Sequence, residues 1–113
     1  MLFRSVYVAG PFKAATHWDV VQNVRLAEFA ALEVWRAGAA ALCPHLNSAN
    51  FIGAAPERAF LDGYLELVRR SDAVYLVDGW EKSSGSRAEV EMAEACDIPV
   101  FGTIEELREW VER

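Results

Sequence analysis

Short β-branched runs alternate with helix-patterned stretches along this chain, and that alternation constrains its fold more than any other feature. Residues 3–9 (FRSVYVA) are an aromatic and β-branched run that stops at Gly10-Pro11, the mark of a strand and a turn. Between residues 18 and 37, Val20, Val24, Ala27, Ala31, Val34 and Trp35 recur on one helical stripe, and Gly38 closes it as a C-terminal glycine does. Residues 39–43 are a second apolar strand ended by Pro44, and residues 45–55 (HLNSANFIGAA) a polar loop. Pro56 stands where the first turn of a helix tolerates proline, so residues 56–70 read as a helix. Residues 72–78 (DAVYLVD) form a third strand, 79–85 a loop, 86–96 a helix, 99–101 a short fourth strand and 104–112 a closing amphipathic helix.

Strands separated by helices imply parallel pairing through right-handed crossovers. The expectation is one α/β domain over residues 1–113: a flavodoxin-like (Rossmann-like) three-layer sandwich with a four-stranded parallel sheet in the order 2-1-3-4. In that order the chain changes direction between strands 1 and 3, and ligands bind outside the carboxyl ends of the strands at such a point. The site is therefore expected among Gly10, Pro11 and Phe12 after strand 1 and residues 79–89 after strand 3, with Pro44, His45 and Asn47 alongside.

Several chemistries are excluded by what is missing. The formal charge of −6 and the lack of a basic stripe argue against a nucleic-acid polymer as partner. No CxxC, HExxH or Cys/His cluster points to a metal, and no P-loop, GxGxxG or GxSxG points to a bound cofactor or a serine nucleophile, so neither metal nor cofactor is expected. Asp78 ends strand 3 where a receiver domain is phosphorylated, but AGPFK after strand 1 lacks the acidic residues that would hold magnesium. No apolar run approaches membrane-spanning length. The start, MLFRSVYVAGPF, lacks a basic region before a long apolar stretch, so a cytoplasmic protein with reduced core thiols at Cys43 and Cys96 is expected.

What remains is a set of carboxylates and hydroxyls, concentrated in SSGSRAEVEMA at residues 83–93. With Ser86 as N-cap, Glu89 falls at the third helical position and Ser-Arg-Ala-Glu reads as a capping box. At about 100° per residue, Met92, Ala93 and Cys96 lie within roughly 60° of Glu89, whereas Glu91 and Glu94 lie on the far, solvated side. An acid on an apolar stripe is costly unless it is paired, capped or used. A partly dry, well-held carboxylate there has the character of a nucleophile toward an electrophilic carbon.

YVAGPF after the first strand, CPH after the second and SDAVYLVDGWEKSSGSRAEVEMA across the third resemble the nucleoside 2-deoxyribosyltransferase superfamily, over about residues 5–101. The nearest look is to its small bacterial and phage branch, related to 2′-deoxynucleoside 5′-phosphate N-hydrolases. The resemblance implies that Glu89 attacks the anomeric carbon, that a base leaves a glycosyl-enzyme ester, and that water or a second base resolves it. It implies that Tyr7 borders the sugar and the nucleophile, and that Gly10, Pro11 and Phe12 line the substrate. Ser83, Ser84, Gly85 and Ser86 would receive a sugar or 5′-phosphate, His45 would bond a base or phosphate, and Trp80 would stack on a base. The general acid would be Asp62, with Asp78 as second choice. Asp72 lies at the wrong edge of the sheet and reads as a boundary residue. After strand 4 the chain carries the single helix IEELREWVER, where family members often supply a residue to a neighbouring subunit; homo-oligomers are nevertheless expected. The competing expectation is a non-catalytic nucleotide or nucleotide-sugar binding module on the same fold, favoured by the unclear general acid.

Overall fold

The computed structural model describes residues 3–113. Its elements run β1 (Ser5–Ala9), α1 (His17–Arg36), β2 (Ala40–Leu42), α2 (Pro44–Asn47), a 3-10 turn (Ala49–Phe51), α3 (Glu57–Arg69), β3 (Ala73–Leu76), a second 3-10 turn (Trp80–Lys82), α4 (Ser84–Ala95), β4 (Val100–Phe101) and α5 (Ile104–Glu112). The four strands form one all-parallel sheet in the order β2-β1-β3-β4, with helices on both faces. This is the flavodoxin-like arrangement that the alternation implies.

Side chains on a strand alternate between faces, and β1 shows the consequence. Val6 and Val8 pack with Ala27, Ala30, Ala31 and Val34 of α1 and Leu107 of α5. Tyr7 and Ala9 face the other way, onto Val68 of α3, Val74 of β3 and Ala93 of α4. Three alanines on α1 let its backbone approach the sheet closely. Tyr7 heads the fully buried side chains by volume. A buried phenol needs a hydrogen-bond partner, and that need defines the site.

The structure corrects several local expectations. The strands are shorter than their apolar runs because only part of each run has ladder partners. The stretch after β2 is not a plain loop: α2 and the first 3-10 turn occupy most of it. Trp35 is exposed, because the inward stripe of α1 runs through Ala27, Ala30, Ala31 and Val34. Cys96 is an exposed thiol, not a core one, while Cys43 is half-buried and both are free. The cap of α4 is Ser83, not Ser86: the Ser83 hydroxyl accepts from the Ser86 amide at 3.2 Å. No capping box therefore forms, and Glu89 sits in the second turn of α4, away from the strongest part of the helix dipole. Gly38, at φ +98°, ends α1 in the left-handed conformation that suits glycine.

Candidate functional site

The site lies at the carboxyl ends of β1 and β3, where two connecting loops meet. Gly10 has no room for a side chain: a Cβ there would come within 2.5 Å of the Cβ of buried Val77. That absence lets the chain leaving β1 cross tightly over the end of β3. Gly79 holds φ +89° beside Pro11, so the second loop turns back against the first. Asn23 of α1 donates to the Phe12 carbonyl at 3.0 Å and fixes the far end of the first loop.

His45 pins the near end. It is buried, not exposed, and its Nε2–H donates to the carbonyls of Gly10 (3.1 Å) and Pro11 (2.9 Å). Burial lowers its pKa against the opposing pull of those two carbonyls, which keeps the ring neutral. Phe12 packs edge-on against the same ring. His45 thus grips the loop after β1, with Nδ1 left unpartnered.

Below these loops, the Tyr7 hydroxyl donates to Glu89 Oε2 across the interface between sheet and α4. The two residues are 82 positions apart in the chain. Burial is the main reason that the Glu89 carboxyl is pushed up to about 7, and the Tyr7 hydrogen bond pulls partly back. Burial, then the Glu89 charge, raises the Tyr7 phenol far above its ordinary value, so it stays a proton donor. The pair is therefore a carboxyl poised between forms near neutral pH, held by a phenol that does not ionise. Such a carboxylate can act as base or nucleophile.

Ser83, Ser84, Gly85 and Ser86 form the start of α4, whose free amides favour an anion. Ser86 is buried with its hydroxyl unpartnered. Trp80 is half-buried in the 3-10 turn, which Arg87 ties to α4 through the Glu81 carbonyl at 2.7 Å. Glu91 and Glu94 are exposed, as their helical phase requires. Asp62 is exposed on α3 and bonds Arg58 at 3.2 Å, and Asp78 is exposed just beyond β3; neither hydrogen-bonds to the Tyr7–Glu89 pair. Asp72 accepts from the Ser5 amide at 2.8 Å at the opposite edge, as a boundary residue does.

Sequence reasoning missed Tyr64 and Ser48. Tyr64 packs against the cluster that contains Tyr7, and its hydroxyl meets Ser48 Oγ at 2.5 Å and Asn47 Nδ2 at 3.2 Å. These three residues, with Phe51 and Phe60, line a groove of about 260 Å³. Only the helical phase of Tyr64, facing the sheet, could have suggested it. A second groove, of about 410 Å³, runs past Trp35, Cys43 and Leu46 along the β2 edge and does not include Glu89. Among the described residues no group of three or more His, Cys, Asp or Glu could hold a metal ion, and no helix is long and apolar enough to cross a membrane.

A family model described as a domain of unknown function (DUF4406) matches residues 4–102, a span that holds Tyr7, His45, Ser83 and Glu89. No curated protein matches the chain.

Proposed function

We propose that this chain, which belongs to the DUF4406 family, cleaves or transfers the N-glycosidic bond of a (deoxy)nucleoside or nucleoside 5′-monophosphate through a glycosyl-Glu89 ester. The Tyr7–Glu89 pair carries the reading: a carboxylate that is half dry, held at one oxygen and free at the other, at the crevice where this fold binds ligands. Ionised Glu89 attacks C1′ with its free oxygen. The C1′–N bond breaks, and its electron pair leaves with the base. The base takes a proton from the solvent side of the crevice, where Asp78 is the exposed carboxyl at the strand ends. Water or a second base then attacks C1′ and restores the carboxylate. An oxocarbenium-like transition state gains from a nearby carboxylate, as in retaining glycosidases. The phenol of Tyr7 keeps its proton throughout and fixes the attacking group.

The amides and hydroxyls of residues 83–86 would receive the sugar or its 5′-phosphate, and Trp80 would stack on the base. The enzyme would work in the cytoplasm, as a homo-oligomer. The second reading, a nucleotide-binding module without turnover, is favoured by one observation: Asp62 is engaged with Arg58 on an exposed helix face, so no acid is held beside Glu89.

Incubation with a panel of nucleosides and 5′-monophosphates, followed by chromatography for free base, separates the two. Base release that falls about 100-fold or more in Glu89→Gln is the expected result. Equal release by the variant would refute the nucleophile, and tight binding without any release by the wild type would favour the binding module.

A further inference from the structure

The face of α1 that points directly away from the core is rich in large apolar side chains. At about 100° per residue, the buried Ala27, Ala30, Ala31 and Val34 mark the inward direction. Trp18, Gln22, Arg25, Phe29, Leu32 and Arg36 align along the opposite side, and their alternating four- and three-residue spacing is that of a coiled-coil seam. Trp18 is 70% exposed and Phe29 61%, with Leu26, Leu32 and Trp35 also exposed. Trp18, Phe29 and Leu32 present roughly 400 Å² of mostly apolar surface along this line, within what a monomer carries, and Leu26 and Trp35 flank it on its two sides. With those two flanks and the stems of Gln22, Arg25 and Arg36 added, the area approaches the roughly 800 Å² per partner of a stable interface.

We propose that this face is covered by α1 of a second copy of the chain, running antiparallel across a twofold axis at the level of Ala27. The order of residues along the seam selects that partner and that register. Trp18 then faces Arg36 of the second copy, Arg25 faces its Phe29, and Gln22 faces its Leu32. Each guanidinium in the seam meets an aromatic ring, a pairing that favours cation–π contact, and the twofold repeats every pairing. The alternatives fare worse. Parallel pairing sets Arg25 and Arg36 each against its own copy. A shift of one heptad in one direction sets Arg25 against Arg36 and leaves Trp18 uncovered, and a shift in the other leaves Leu32 and Arg36 uncovered. The seam is therefore complementary to itself in one antiparallel register, and the inference stands independently of the glycosyl chemistry.

Sedimentation equilibrium over a wide concentration range tests it, with far-UV circular dichroism to confirm folding. The wild type is expected to be a dimer, and Phe29→Glu, an exposed change on a helix, a folded monomer. A monomeric wild type overturns the proposal, and so does a Phe29→Glu variant that stays dimeric. The register has its own check, made in a Cys96→Ser background. An oxidised mixture of Arg25→Cys and Phe29→Cys chains is expected to give the mixed disulfide in at least fivefold excess over either self-pair. Predominant self-pairing of Arg25→Cys contradicts the antiparallel register.

Discussion

At the residue scale, the account rests on Glu89, and its protonation makes a prediction about stability. Burial raises its carboxyl from 4.5 to about 7 in the folded chain. Below the unfolded value both states are protonated, and the group does not oppose folding. As pH rises through the window from 4.5 to 7, the unfolded chain ionises first, so stability is lost. Above the folded value the loss is complete, at no more than about 3–4 kcal/mol, each tenfold step in acidity being worth about 1.4 kcal/mol. Urea unfolding of the wild type between pH 4.5 and 8 should show that decline, and Glu89→Gln, which still accepts from Tyr7, should flatten it. Activity runs the opposite way, because attack needs the ionised form: kcat/KM should rise through pH 7. Gly10 makes a second prediction. Gly10→Ala forces a methyl group onto Val77, and overpacking of this kind costs about 1–3 kcal/mol, measurable by the same unfolding experiment. The apolar stripe around Glu89 was legible in the sequence, because helical phase is local. Its partner was not legible in the pattern: spacing along the chain says nothing about which strand side chain, 82 residues away, will point at it, and only the family resemblance put Tyr7 beside it.

At the element scale, α4 separates what local patterns can and cannot fix. The sequence offers four N-cap candidates in a row, and its Ser-x-x-Glu spacing favours Ser86. The cap instead lies three residues earlier, because Ser83 takes extended φ/ψ as the chain leaves the 3-10 turn and so can accept from the Ser86 amide. Ser83→Ala should cost about 1 kcal/mol in thermal or urea unfolding, while Ser86→Ala, which removes an unpartnered buried hydroxyl, should cost less. The far end of α4 carries Asp97 at φ +57°, where an L-residue pays for a left-handed turn. Asp97→Gly should therefore stabilise the fold by about 1 kcal/mol. The end of α1 was readable from Gly38 because glycine marks such a turn, whereas Asp97 leaves no comparable mark.

At the scale of the whole molecule, the parallel sheet followed from alternation, since right-handed crossovers leave few topologies open, and the order 2-1-3-4 is the expected one among them. That order brings the loops after β1 and β3 together, and with them Gly10, Pro11, Gly79 and the start of α4. The parts played by Tyr64 and Ser48 were not legible, because the two meet only when α2 folds back beneath α3. On α1 the stripe read from the sequence is the one the sheet covers, and only Trp35 was misplaced: it lies at the edge of that stripe, and periodicity does not report where the cover ends. The central claim is a covalent step at Glu89, and mass spectrometry tests it most directly. The protein is mixed with a substrate identified by base release, quenched in acid within one turnover, and weighed intact and after proteolysis. An added glycosyl mass that maps to Glu89 and vanishes in Glu89→Gln is the expected result. Base release with no adduct, or with the adduct on another residue, would contradict it.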